Sequence, residues 1–442
     1  MTKTTLLIFL CLIGLLSCKS DQSTPMQIGA SQNWAVYGGD FASSQYSTLD
    51  QINTKNVANL KLAWSYSSGD KDERGRSQIQ CNPLIIDGVL YGSSPKLKFF
   101  ALDAATGKER WSFDPFEGNY NSYGMGVNRG VAYWTDGSQS RILLTAASSL
   151  YSIDAKTGKL DKSFGEAGTV SLHAGLGEWA QELYVVSNTP GIVYKNLLIL
   201  GTRVSEGEDA APGYIRAFDI PTGELKWVFH TIPRPGEFGY ETWPEDAYQR
   251  IGGANAWSGM SLDPERGIVF VPTGSASYDF YGGNRHGENL FANSVLALDA
   301  ATGKRIWHFQ TVHHDMWDRD LPCAPNLVTV THNGQKVDAV AQVTKSGFVF
   351  LLDRETGEPL FSVEEKPFPA SDLDGEQAWP TQPIPVKPPP FSRQILTKND
   401  IGSINPETQK QALKRLEGIR SNGQYIPPSR EGTVIFPGFD GG

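Results

Sequence analysis

One phrase, written five times, limits what this chain can fold into. Ala101-Leu-Asp-Ala-Ala-Thr-Gly-Lys-Glu-Arg-Trp111 returns as Ala217-Phe-Asp-Ile-Pro-Thr-Gly-Glu-Leu-Lys-Trp227 and as Ala297-Leu-Asp-Ala-Ala-Thr-Gly-Lys-Arg-Ile-Trp307. Weaker copies run from Ser152 to Phe164 and from Leu351 to Phe361. The aligned Asp residues are 103, 154, 219, 299 and 353, at intervals of 51, 65, 80 and 54 residues. Such periods mark an array of similar supersecondary units, here propeller blades carrying loop insertions. In each copy an apolar strand ends at Asp, and a turn closes through Thr-Gly. The next strand then carries an aromatic that can dock on a neighbouring blade. Gly supplies the positive φ of the turn, and Asp bonds back to turn amides. Apolar runs such as Pro83 to Tyr91 and Ile268 to Pro272 supply further strands. With 46 Gly, 11 Trp, 16 Tyr and 21 Phe, the composition suits short strands joined by tight turns. No long segment has a helical period, so the expected fold is all-β.

The chemistry is concentrated at His313-His314-Asp315-Met316-Trp317-Asp318-Arg319-Asp320, followed by Thr344-Lys345-Ser346-Gly347 at a strand start. Six ionisable side chains in eight residues are costly to bury. Carboxylates beside imidazoles make a proton-abstracting or metal-binding corner if the fold brings them together. The competing reading is a solvated polar turn between two strands.

The N-terminus reads as a targeting segment. Lys3 precedes an apolar run from Leu6 to Leu16 that is too short to span a bilayer. Leu15-Leu16-Ser17-Cys18 resembles the lipobox of bacterial lipoproteins. Residues 1–17 are then a lipoprotein signal peptide, with Cys18 the lipidated anchor of an exported, periplasmic protein. Residues 18–32 are polar and read as a flexible tether, and 33–442 form the propeller. Cys81 and Cys323 remain in that domain, either bridged or as two buried thiols. No Cys-x-x-Cys-His motif for c-type haem occurs. A net charge of −9 with interspersed signs argues against nucleic acid as a partner.

The repeats and the Trp-Asp corner together resemble the quinoprotein dehydrogenases, propellers of the eight-bladed type that bind pyrroloquinoline quinone (PQQ), and within them the membrane-associated glucose/quinate type. Trp34-Ala-Val-Tyr-Gly-Gly-Asp40, Tyr46 to Asn53 and Leu62-Ala-Trp-Ser-Tyr66 read like that family's first blade, and the similarity runs from about Trp34 to the last residue. The resemblance implies residue roles one position at a time. Asp318, in the family's His-Asp-x-Trp-Asp run, falls where the general base sits. Lys345 matches the cation that contacts the quinone oxygens, and Trp257 the indole under the cofactor plane. Arg129 matches an Arg that pairs with a PQQ carboxylate, while Gln80 and Ser187 fall at positions that bond the cofactor rim. Glu206, together with Asp318, matches the ligands of a metal ion, Ca²⁺ or Mg²⁺. The implied activity is hydride transfer from a sugar or polyol to PQQ. A membrane quinone or a separate cytochrome would take the electrons.

The pattern also breaks in places. Ser275 stands where alcohol-oxidising relatives carry a metal-binding Asn after Thr-Gly. Met125 stands where glucose-type relatives carry a His near the quinone, and a thioether cannot donate a hydrogen bond. Asp320 matches a position that adds a carboxylate ligand in lanthanide-using relatives. About six blades are accounted for, counting one around Trp64, so the propeller is expected to be incomplete at its C-terminal end by about two blades. The stretch from Lys366 to Arg393 is Pro-rich and reads as an ordered excursion over the propeller face. Thr408 to Arg420 has the spacing of a short helix. Two other functions compete: a non-catalytic propeller lipoprotein of the outer-membrane assembly type, and an inactive truncated remnant.

Overall fold

Apolar residues on alternate positions of short strands, punctuated by Asp-x-x-Thr-Gly turns, build a succession of antiparallel sheets. The computed structural model describes residues 33–438 apart from 76, 121–126, 403 and 422. The signal segment 1–17, Cys18, the tether to residue 32 and Met125 lie outside the described residues. Four sheets have four strands each. They are Leu84–Ile86, Val89–Ser93, Phe99–Asp103 and Glu109–Phe113; Ala132–Thr135, Ser140–Ala146, Ser149–Asp154 and Thr169–Ser171; Ile192–Tyr194, Leu197–Leu200, Ile215–Asp219 and Leu225–Phe229; and Ser261–Asp263, Ile268–Pro272, Ser294–Asp299 and Arg305–Gln310. A fifth sheet has three strands, Asn326–His332, Gln335–Val343 and Val349–Asp353. Strands pair antiparallel in each sheet, in chain order. This is the all-β, blade-by-blade architecture of a propeller.

The repeated phrase does the same work in every blade. Each Asp ends the third strand, and its carboxylate accepts from the amide and hydroxyl of the Thr three residues on, at Asp103, Asp154, Asp219, Asp299 and Asp353 alike. The following Gly has φ between +69° and +79° in all five copies, a region that side chains disfavour. Space forbids a side chain at all five as well, at Gly223 because a Cβ would lie 2.7 Å from Gly165 N. A Cβ at Gly107, Gly158, Gly303 or Gly357 would lie 2.5–2.6 Å from the indole of Trp64, Trp111, Trp227 or Trp307. Each of those indoles also donates to a backbone carbonyl of the turn it covers, at 3.0–3.3 Å. The phrase is therefore both a turn and a clasp, with the Trp of one blade seated on the Gly of the next.

The core follows from the same stacking. Four apolar clusters lie one between each pair of successive sheets. Within Ile268–Pro272, Val269 and Val271 face the third sheet while Ile268 and Phe270 face the fifth. A strand buried on both faces needs a continuous apolar run, which is what the sequence shows there.

Three expectations are amended. The segment around Trp64 docks on the first sheet but pairs with no strand among the described residues, so five blade-like sheets of three or four strands stand where about six blades were counted. The Pro-rich stretch contains a hairpin, Val363–Pro367 with Thr381–Pro385. In a two-stranded ladder each proline faces an open edge where no amide is needed. The helix runs Pro406–Arg415, earlier than 408–420, because Asn405 caps it by accepting from Thr408 N at 2.9 Å and Pro406 opens it. Cys81 and Cys323 are both unpaired thiols. Among the described residues, no helix is long and apolar enough to cross a membrane.

Candidate active site

The segments that lead into the first strand of successive sheets converge on one cavity of about 330 Å³. Gln78 and Gln80 precede the first sheet, Val127 and Arg129 the second, and Asn188 the third. Asn255 and Trp257 precede the fourth, and Asp318 and Asp320 the fifth. Arg203 enters from the short strand Arg203–Val204, which pairs with Val185–Val186, and Glu206, Ser275, Asp279 and Lys345 enter from loops between strands. Hydrogen bonds pass from one entry segment to the next: Asn82 N to Arg129 O (2.8 Å), Arg129 N to Asn188 O (2.7 Å), Thr189 Oγ1 to Trp257 O (2.6 Å) and Trp257 Nε1 to Asp320 Oδ2 (2.9 Å). The blades thus fix one another where they meet the cavity.

The acid-rich corner divides into a structural half and a cavity half. Asp315 is buried and accepts from Trp317 N (2.9 Å), Arg319 N (2.6 Å), Asn293 Nδ2 (2.8 Å) and the Ser275 hydroxyl. That network shapes the turn in which Asp318 takes φ +55°. His314 is fully buried, with Nδ1 on Gly287 O (2.7 Å) and Nε2 on Glu376 Oε1 (2.8 Å). His313 pairs with Glu288 and Glu365 in a different cavity. The expectation of imidazoles beside reactive carboxylates is therefore corrected: the turn sends both rings away, and only Asp318 and Asp320 of this run line the cavity.

Those two carboxylates share one ammonium. Lys345 Nζ donates to Asp318 Oδ1 at 2.9 Å and to Asp320 Oδ2 at 3.4 Å, with the Lys345 residue 8% exposed. Asp320 also accepts from Ser275 N at 2.6 Å, and a Cβ on Gly274 would overlap its Oδ1. Burial, and then the charge of Asp320, push the Asp318 carboxyl up to about 8 against the pull of Lys345. Burial works against the Lys345 ammonium, yet Asp320 and Asp318 hold it above its ordinary value. Asp279 is likewise pushed up to about 8, first by burial and then by Asp320 and Glu206.

Six of the seven residues singled out from the sequence line this cavity: Gln80, Arg129, Glu206, Trp257, Asp318 and Lys345. Ser187 stands apart, its buried hydroxyl donating to Thr189 O (3.1 Å) and Gly201 O (2.9 Å), and its neighbour Asn188 faces the cavity instead. Asn255, Arg203 and Asp279 were not anticipated. Nothing local marks them, because Asn255 and Asp279 lie in loops whose direction the sequence does not encode, and Arg203 in a two-residue strand that only its pairing with Val185–Val186 defines.

The geometry suits a flat, anionic ligand. The Arg129 guanidinium lies 5.4 Å and the Lys345 ammonium 5.9 Å from the Trp257 ring centre. Arg129 is largely buried and, among the described residues, has no carboxylate partner; burial pulls its pKa down. A platform with two cations at its rim answers a planar polycarboxylate such as PQQ. A hard cation is offered carboxylate and amide oxygens by Glu206, Asp318 and Asn255, but Glu206 leans on Arg203 (3.6 Å) and Asp318 on Lys345. No ready-made set of three acidic or His ligands occurs among the described residues, so a metal would have to draw these side chains together.

Residues 34–442 match the family model for the β-propeller domain of PQQ glucose, ethanol and alcohol dehydrogenases. The chain is 36% identical to a quinate/shikimate dehydrogenase (quinone) of Acinetobacter baylyi, over 93% of this chain and 54% of that protein. It is 33% identical to a quinoprotein glucose dehydrogenase of Escherichia coli, over 96% of this chain and 55% of that protein. The solved quinohaemoprotein alcohol dehydrogenase of Comamonas testosteroni superposes with a TM-score of 0.66 at 29% identity, covering 81% of this chain and 53% of that one. The chain spans about half the length of the curated relatives it matches.

Proposed function

Because this chain belongs to the PQQ glucose/ethanol/alcohol dehydrogenase β-propeller family, we propose that it serves as the PQQ-binding, substrate-oxidising propeller of an exported dehydrogenase acting on a sugar or polyol. The observation that carries the reading is the Lys345–Asp318 contact of 2.9 Å beside the Trp257 platform, in a cavity that also holds Arg129. Trp257 would carry the cofactor plane. Arg129 would pair with a carboxylate at its rim, with Gln80 and Asn188 bonding nearby. Lys345 would face the quinone oxygens, where a fixed cation stabilises negative charge that develops on reduction. PQQ, when bound, supplies the two-electron acceptor for the hydride leaving the carbinol carbon. Asp318 takes the hydroxyl proton of the same C–OH, leaving a carbonyl product. Asp320 serves neither transfer directly, but sets the direction of the Lys345 ammonium and the Trp257 indole. Glu206 and Asp318, with the Asn255 carbonyl, would hold Ca²⁺ or Mg²⁺, a Lewis acid for the quinone. Electrons would pass on to a membrane quinone or a separate cytochrome, and the lipobox at Cys18 would anchor the protein at the periplasmic membrane surface.

The test is a Trp-fluorescence titration of the chain with PQQ, with and without Ca²⁺, on the native sequence and on Lys345→Ala. Saturable, metal-dependent quenching that weakens in Lys345→Ala is expected. A folded native protein that shows no quenching at any concentration removes the dehydrogenase reading and leaves a non-catalytic propeller.

A further inference from the structure

Asp318 and Lys345 meet at 2.9 Å although 27 positions separate them. A third stretch of chain, Gln424-Tyr425-Ile426, holds the neighbour of each. Tyr425 is fully buried, and its hydroxyl pairs with Ser346 Oγ at 2.9 Å, one residue after Lys345. Its ring meets that of Trp317 edge-on, one residue before Asp318, with centres 5.2 Å apart. Ile426 O accepts from Trp317 Nε1 at 2.8 Å, and Gln424 Nε2 donates to Ser346 O. None of the three lines the cofactor cavity. Bonds within the Lys345 turn, Gly347 N to Thr344 O and Thr344 N to Phe348 O at 3.0 Å each, set its shape but not its distance from Asp318. Arg319 Nη1 crosses to Lys345 O at 3.2 Å, yet its Nε and Nη2 have no hydrogen-bond partner among the described residues. Tyr425 also takes φ +56°, a left-handed backbone that a bulky residue adopts only where its surroundings impose it.

Resting on the dehydrogenase reading, we infer that Tyr425 is a positioning residue that sets the spacing of Asp318 and Lys345 by holding Trp317 and Ser346 at once. The ring fills the slot between Trp317 and Phe368, whose centre lies 5.0 Å away, and so braces the run that carries Asp318. The hydroxyl ties the Lys345 turn to the same ring. Without that tie the turn shifts, and the ammonium, on its flexible stem, leaves the geometry that a charged hydrogen bond needs. Gln424 and Gln394 still hold Ser346 O, so the shift is partial. Contacts one layer behind a site act in this way, by orienting the groups within it.

The test reads Lys345 itself, with no cofactor present. Acylation by an N-hydroxysuccinimide ester, followed residue by residue in peptide mass spectra of the full chain, reports how freely each ammonium leaves its partners. Lys345, buried and ion-paired, should react more slowly than the exposed Lys108. Tyr425→Phe keeps the ring and should raise the Lys345 rate about three- to tenfold, the weight of one buried hydrogen bond, with Lys108 unchanged. Ser346→Ala removes the same bond from the other side and should do the same, and the double variant should exceed neither. Gly303→Ala, destabilised by a clash at Trp227 instead, should leave the Lys345 rate native; a rise there as large as in Tyr425→Phe would reduce Tyr425 to a structural residue. An unchanged Lys345 rate in a folded Tyr425→Phe or Ser346→Ala overturns the inference. So does PQQ affinity that stays native while the rate rises, since about threefold weaker quenching is expected of Tyr425→Phe. Quenching of the native protein separates the two claims. Faster acylation in the variants with no quenching of the native protein removes the dehydrogenase reading alone. Native quenching with unchanged acylation removes the role of Tyr425 alone.

Discussion

Replacing Asp320 by Asn should uncouple the cofactor platform from its cation. One oxygen of Asp320 accepts the Ser275 amide at 2.6 Å, and the other accepts the Trp257 indole N–H at 2.9 Å and Lys345 Nζ at 3.4 Å. An Asn has a single acceptor oxygen. Whichever way its amide is turned, an NH₂ group faces a donor that cannot turn away, since Ser275 N is backbone and Trp257 is held by its own backbone bond to Thr189. The side chain is only 16% exposed, so water cannot readily replace the lost acceptor. Losing one or two hydrogen bonds to a charged group, at about 1.5–3 kcal/mol each, with Lys345 still held by Asp318, gives an expected destabilisation of about 2–4 kcal/mol. Urea unfolding followed by Trp fluorescence reads that number directly. The same protein should bind PQQ roughly tenfold more weakly, because both Trp257 and Lys345 lose a restraint. An Asp320→Asn protein within about 0.5 kcal/mol of the native one, with unchanged PQQ quenching, would refute the claim that this carboxylate organises the site.

Other consequences can be checked separately. Gly303→Ala places a Cβ 2.5 Å from the Trp227 indole at φ +71°, and should cost about 2–4 kcal/mol in denaturant unfolding. Gly334→Ala has a similar φ of +78° but open space, so it should cost only about 1 kcal/mol, and equal losses would show that the clasp is unimportant. His308 is pulled down to about 4 by burial and then by Arg305. The unfolded chain therefore binds that proton first, and stability should fall as pH drops from about 6.5 to about 4, by at most about 3 kcal/mol. His308→Gln should flatten that part of the pH–stability profile, and a profile identical to the native one would discount the buried imidazole. Lys345→Ala should weaken PQQ binding and also lower the unfolding midpoint, since it leaves the carboxylates of Asp318 and Asp320, 15% and 16% exposed, without their shared ammonium; the quenching curve and the unfolding midpoint check the two halves of that statement.

Much of the architecture was legible because its signals are short-range. The Asp-to-Thr hydrogen bonds and the positive φ of Gly107, Gly158, Gly223, Gly303 and Gly357 span a few residues each, so the phrase announces its turn wherever it occurs. The Trp that follows is legible as an aromatic in want of a partner. The partner, the Gly one blade further on, emerges only when the blades stack. The segment around Trp64 shows the limit: it reads as part of a blade, yet it forms no ladder among the described residues, because a strand needs another beside it. The Pro-rich stretch shows the reverse. Prolines that argue against a central strand are tolerated in a hairpin with two open edges.

The site divides along the same line. The order of residues alone is enough to mark Trp257, Asp318 and Lys345 as a set, because their motifs are local and specific. It does not say that Asp318 and Asp320 share one ammonium while His313 and His314 turn away, since the buried contacts of Asp315 steer that turn and involve residues up to 40 positions distant. Nor does it mark Asn188 over Ser187, or give Asp279 a place in the cavity wall. Blade repeats arise from hydrogen bonds and dihedral preferences within about ten residues. The cavity arises where loops from five sheets meet, and that meeting depends on apolar burial between blades, a long-range and non-directional force that no short stretch of sequence records.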